Sequence, residues 1–218
     1  MRARFDKELE LLNDELMEMG GLIERAIRDA VNALLQRDAA LAQQVITCGP
    51  EVDEKEKQIE RRCLRLLLQQ QPVAADLRLV STALKMITDM ERIGDQAEDI
   101  GEIVIRLSNE PVNLSMDHIS QMAWATIKMV TGAIDAFVAR NLDRAKAVIA
   151  CDDIVDDLFV QVRNDLVAMI RDNTANGEQA IDLIMVAKYF ERIGDHATNI
   201  AEWVVFAITG EHNNQQVL

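Results

Sequence analysis

The sequence predicts an all-α chain built as two tandem, pseudo-symmetric three-helix bundles, and three observations carry that prediction. The pentapeptide Glu91-Arg92-Ile93-Gly94-Asp95 returns as Glu191-Arg192-Ile193-Gly194-Asp195, one hundred positions later. The repeat extends beyond the motif at the same offset, pairing Ala97 with Ala197, Ile100 with Ile200 and Val104 with Val204. Upstream the offset becomes 103, pairing Arg37 with Arg140, Cys48 with Cys151, Val52 with Val155 and Asp53 with Asp156. A fixed internal period marks a duplicated structural unit. The composition is helical as well, with 3 prolines and 9 glycines in 218 residues and only 4% aromatics.

In chain order, Arg4 to Gln36 predicts the first helix, because Leu9, Leu12, Leu16, Met19, Ile23, Ala26 and Ala30 recur every three or four residues. Gly20-Gly21 lies inside it, where glycine costs about 1 kcal/mol relative to alanine, so the pair implies a close helix neighbour or a bend. Asp38 then caps a short segment to Cys48, which Gly49-Pro50 is expected to break, with Pro50 opening a second helix that runs to Gln71. Pro72 ends that helix by pushing its predecessor out of the helical region.

The third helix, Asp76 to Leu107, is the most regular. Leu79, Ala83, Met86, Met90, Ile93, Ala97, Ile100, Val104 and Leu107 alternate spacings of four and three, the seam of a helical bundle. Beside that seam, Leu77, Val80, Leu84 and Ile87 continue at the same spacing into Glu91, Asp95, Glu98 and Glu102, so an apolar stripe turns acidic half way along. Ser108 to Ser115 predicts the linker, dividing the chain into residues 1–110 and 111–218. The second half repeats the plan: a helix from Met116 to Arg140, a segment from Asp143 to Ala150, a helix to Asp172, a loop at Asn173 to Gly177, and a last helix to Thr209. A polar, frayed tail follows from Gly210.

A net charge of −14 without a Lys/Arg cluster excludes nucleic acid as a partner and favours cations or basic protein surfaces. The absence of a long uninterrupted apolar run, and the charges spread through Met1 to Leu12, predict a cytoplasmic protein with no direct membrane insertion. Cys48, Cys63 and Cys151 lack C-x-x-C spacing and predict reduced thiols. Met122 and Met129, at flanking positions of the fourth long helix, suggest a homodimer.

Glu91 and Asp95 stand one helical turn apart, as do Glu191 and Asp195, and a repeated pair of like charges on one face points to a bound positive group. Asp152 and Asp156 offer a further pair in the second half, whereas Gly49 and Asp53 occupy the matching positions of the first, which is therefore expected to be one ligand short. Sites made only of oxygen prefer hard cations such as Fe³⁺, Mn²⁺, Mg²⁺ or Ca²⁺. A di-iron oxidase would need Glu-x-x-His pairs, and His118, His196 and His212 supply none, leaving His196 as a structural group. No glycine-rich phosphate loop or nucleophile–base pair is visible either, so a carboxylate-metal enzyme is disfavoured and a carboxylate-bundle metal-binding or storage protein remains an alternative.

With these residues in view, the chain resembles the PhoU family over nearly its whole length. Besides the doubled E-x-x-x-D, the resemblance rests on Met19-Gly20-Gly21, on Gln71-Pro72-Val73-Ala74-Ala75-Asp76-Leu77-Arg78 and on Lys188-Tyr189-Phe190 before the second motif. It implies multinuclear metal sites of Fe, Mn, Mg or Zn on Glu91, Asp95, Asp152, Asp156, Glu191 and Asp195, with Asp99, Asn199 and Asp53 as further candidates. It implies no catalytic turnover. It further implies a negative regulator of the phosphate-starvation response, acting as an adaptor between the ATPase subunit of a phosphate ABC transporter and a phosphate-sensing histidine kinase.

Overall fold

The computed structural model describes residues 2–70, 72, 74–108, 116–212 and 215–216. Helices α1 (Arg2–Gln36), α2 (Ala39–Gln70) and α3 (Ala75–Leu107) form one three-helix bundle; α4 (Asp117–Ala139), the short α5 (Leu142–Ile149), α6 (Asp152–Asp172) and α7 (Gly177–Thr209) form the other, α5 and α6 together standing where α2 stands in the first. The bundles pack along α3 and α7, with α1 against α4, and share one apolar core. All nine seam residues predicted on α3 are buried, from Leu79 to Leu107, and Phe190, Ile193, Ala197, Ile200 and Val204 bury the matching face of α7. The predicted linker, Ser108 to Ser115, lies outside the described residues apart from Ser108.

The duplication reaches into the corners. Arg37 (φ 56°) and Arg140 (φ 50°) both adopt the left-handed conformation after their helices. In both corners the residue that follows closes a bond five residues back, Asp38 N to Ala33 O and Asn141 N to Ala136 O, each 2.9 Å. Each corner then caps the next helix: Asp38 Oδ1 accepts from the backbone of Ala40 and Leu41, and Asn141 Oδ1 from Arg144 N.

Three expectations are corrected. Gly49-Pro50 does not break the first half, because α2 runs through it as one helix of 32 residues. A proline inside a helix costs about 3 kcal/mol, and Ala42, Val45, Val52 and Ile59, buried on both sides of Pro50, offset that by keeping the whole rod packed on the core. The break predicted in the second half is present, at Ala150–Cys151 between α5 and α6, where no proline stands. The tail beyond Gly210 is not simply frayed, since β1 (Glu211–His212) pairs antiparallel with β2 (Gln215–Gln216). Met122 and Met129 are buried and offer no dimer surface.

By length and composition α4 could cross a membrane, yet its Ile119, Met122, Ile127, Val130, Ile134 and Phe137 are buried within the bundle. Gly20 explains half of the glycine pair in α1, because a Cβ there would lie 2.7 Å from Ile134 Cδ1 of α4, whereas Gly21 faces open space.

Candidate functional site

The acidic residues converge because small residues let the helices approach. A Cβ at Gly94 would lie 3.2 Å from Val52 of α2, and one at Gly194 would lie 3.5 Å from Val155 of α6. The glycine of each repeated pentapeptide thus presses the motif-bearing helix onto the partner that carries the other acids.

In the first half this brings Asp53 of α2 to Glu91 and Asp95 of α3, with one carboxylate oxygen from each within 4.8 Å of the others. Glu98, one turn further along α3, adjoins this group of three, near enough for the charges of Asp95 and Asp53 to act on it. A Cβ at Gly49 would fall 1.4 Å from Glu98 Oε1, so the Glu98 carboxylate occupies the volume that a side chain at position 49 would fill. The space left by the missing acid at 49 is thus taken up by an acid from 98. At the equivalent positions of the second half the acid is Asp152, and Thr198 donates to its Oδ1 at 3.2 Å. The pair Gly–Glu in one half has become Asp–Thr in the other.

Charge accumulates in this first cluster. Burial, and then Asp95, Asp53, Asp99 and Glu102, push the Glu98 carboxyl up to about 7. Glu91 is also raised, by burial and by Asp95, with Arg92 opposing. Arg92 contributes only from outside, its exposed guanidinium 3.3 Å from Asp95 Oδ2 and 3.5 Å from Glu91 Oε2, a surface geometry that stabilises by no more than about 1 kcal/mol.

The second cluster gathers Asp152 and Asp156 of α6 with Glu191 and Asp195 of α7. Asp195 is raised by burial, then by Glu191 and Asp152, and Asp156 by burial, then by Asp152 and Glu191. Here a cation is already present: the Lys188 ammonium pairs with Glu191 one turn away and lies 5.7 Å from the Phe159 ring centroid. Among the described residues, three carboxylates meet within 4.8 Å only in the first half.

Asp99 and Asn199 take part in the contact between bundles, and Asp99 also lies near enough to Glu98 for its charge to act there. Asn199 Nδ2 donates to Asp89 Oδ1 at 3.4 Å and His196 Nδ1 lies 2.8 Å from the same oxygen, joining α7 to α3. Across the pseudo-twofold, the Tyr189 hydroxyl donates to Asp99, whose carboxyl is raised by burial and by Glu102 and Asp95. The metal implied by resemblance fits the first cluster on two grounds: an all-carboxylate donor set suited to a hard cation, and the space beside Gly49 that admits Glu98 to it. Asp53, Glu91, Asp95 and Glu98 would hold such an ion, which would join α2 to α3 by neutralising their mutual repulsion.

Glu98, Lys188 and Asp89 were not singled out as site residues by sequence reasoning. Glu98 had a signal, its place in the acidic stripe of the third helix, and Lys188 had another, its mismatch with Thr88 at the offset of 100.

Comparison with known proteins agrees with this duplication. The family described as the PhoU domain matches residues 16–104 and again 119–204. A phosphate-specific transport system accessory protein PhoU homolog from Clostridium acetobutylicum is 37% identical over 211 residues, covering 96% of either chain. The homolog of that name from Pseudomonas aeruginosa is 36% identical, over 95% of this chain and 86% of its own. The crystal structure of PhoU from Pseudomonas aeruginosa superposes with a TM-score of 0.90 over 95% of this chain and all of that one. That of the phosphate transport system regulatory protein PhoU from Streptococcus pneumoniae gives 0.86 at 25% identity, over 95% of this chain and 98% of that one.

Proposed function

The chain belongs to the PhoU family, and from that premise we propose that it is a cytoplasmic accessory protein of phosphate-specific transport that holds the phosphate-starvation response off when phosphate is plentiful. It acts without catalytic turnover, as an adaptor between the ATPase subunit of the phosphate ABC transporter and the phosphate-sensing histidine kinase, and as a homodimer. The observation that carries this reading is the family match in both halves, with relatives covered nearly end to end that are themselves named accessory proteins of phosphate transport. The chemistry is consistent with recognition: the carboxylates are arranged in clusters on helices, and an acidic chain of net charge −14 attracts basic partner faces and speeds encounter with them at low salt.

A cation at the first-half cluster, Fe, Mn, Mg or Zn, would set the charge of that face and so its complementarity to a partner. The storage alternative is weaker, because two groups of four carboxylates hold few ions per chain.

The test is genetic. Deleting the gene should leave phosphate-starvation genes switched on in high phosphate, and removing the sensor kinase as well should silence them. Normal repression in the deletion strain would overturn the regulatory reading. Light scattering at micromolar concentration tests the dimer, and a monomer mass would remove it.

A further inference from the structure

We propose that Lys188 is the resident cation of the second-half cluster and competes with metal ions for it, so that the two halves, alike in fold, differ in what they bind: the first half is open to an added cation and the second is held by its own ammonium. This rests on the carboxylate clusters being cation sites, and is independent of the regulatory role.

The argument comes from comparing equivalent positions. Lys188 stands where Thr88 stands in the first half, at the offset of 100, and Phe159 stands where Glu56 stands, at the offset of 103. In the second half the ammonium meets Glu191, whose side chain is 17% exposed, and rests on the Phe159 ring at 5.7 Å, a position fixed by both contacts. In the first half, Thr88 turns its hydroxyl back to the Leu84 carbonyl at 3.4 Å, and Glu56 adds a further acid near Asp53. The repeat therefore replaces an uncharged residue and an acid by a base and a ring at these two equivalent positions. The arginine of the motif does not restore the balance, because Arg192 lies over the Tyr189 ring at 5.8 Å and lowers Asp99 of the other bundle. An ion entering the second cluster meets the lysine held on Glu191 and the Phe159 ring, whereas an ion entering the first meets no ammonium, only the more exposed Arg92 guanidinium beside Glu91 and Asp95.

The test uses the full-length chain and Mn²⁺, with bound ion counted by electron paramagnetic resonance and affinity by titration calorimetry. The wild type should bind Mn²⁺ tightly in the first half, and this binding should be lost in Asp53→Asn/Glu98→Gln. Lys188→Thr should strengthen binding in the second half by about ten- to hundredfold, the range seen when a group beside a metal ligand is changed. The gain should vanish in Lys188→Thr/Asp195→Asn and should not occur in Lys188→Arg, which keeps the charge. The reciprocal variant Thr88→Lys, at an exposed helix position, should close the first half, an arm that stands even if Lys188→Thr does not fold. Unchanged binding in both Lys188→Thr and Thr88→Lys overturns the proposal, as does equal affinity of the two halves in the wild type. Absence of Mn²⁺ from every variant overturns it together with the cation sites, while the genetic test of regulation is unaffected.

Discussion

The Glu98 carboxylate occupies the place of a side chain at Gly49, with Oε1 only 1.4 Å from where a Cβ would be. The two positions are thus one ligand slot filled from either helix. Gly49→Ala should leave stability nearly unchanged, since the obstructing atom is the mobile end of a glutamate and alanine favours the helix by about 1 kcal/mol. It should nonetheless weaken cation binding in the first half by about tenfold, because Glu98 is turned away. Gly49→Asp combined with Glu98→Thr, which installs the arrangement of the second half, should recover it. Titration with Mn²⁺ and a thermal melt on each variant separate the two effects.

Stability should fall as pH rises from about 4.5 to about 7 in the presence of chelator. Glu98 titrates at about 7 in the fold and near 4.5 when unfolded, so between these values the native state holds more protons than the unfolded state. Its full contribution is therefore present below about pH 4.5 and is lost by about pH 7. Asp195, Asp156 and Asp99 are shifted in the same direction. The melting temperature should be higher at pH 5.5 than at pH 8, and Glu98→Gln should flatten the difference. A melting temperature that rises over this interval would contradict the placement of Glu98.

Asp89 ties the bundles together by receiving His196 and Asn199 of α7. Removing either partner of a part-buried hydrogen bond costs about 1 kcal/mol, and a double-mutant cycle of Asp89→Asn with His196→Ala in urea should show coupling of about that size. Additive losses would mean that the two side chains do not share a bond.

Arg62 clamps α1 to α2, with Nε and Nη2 on the two Glu15 oxygens and Nη1 on Glu8, each at 2.7 Å. A forked guanidinium makes these contacts together and an ammonium cannot. Arg62→Lys should lower stability by about 1–2 kcal/mol, and Arg62→Ala by more, measured as the shift in urea midpoint at constant slope.

Much of the fold was legible because it depends on local spacing. The seam of α3 followed from residues three and four apart, and the corner at Asp38 from its capping chemistry. The course of α2 was not legible, because the penalty at Pro50 is local while the packing of Val45 and Val52 that outweighs it depends on α3. The candidate site divided in the same way. The repeated pentapeptide singled out Glu91, Asp95, Glu191 and Asp195, whereas Glu98 showed only as one acid of a stripe, and its place beside position 49 was not legible because the two residues lie on different helices that the fold brings into one volume. The contacts that Asp99 and Asn199 make were not legible for a related reason: they lie one turn beyond the motif acids, and their side chains meet Tyr189 and Asp89 of the other bundle.

The unequal course of the second segment in each half gives the molecule one stiff lever and one jointed lever. Asp53 sits on a helix uninterrupted from Ala39 to Gln70, roughly 48 Å of rod at 1.5 Å per residue. A displacement imposed at that carboxylate is carried along the rod to the corner at Asp38. Asp156 sits on a helix that stops at Asp152, and the turn at Ala150–Cys151 interrupts the rod there, so a shift of α6 is expected to reach α5 only through that turn. A perturbation arriving at the first cluster is therefore delivered to a distant end of its bundle, while the same perturbation at the second is absorbed close to where it arises.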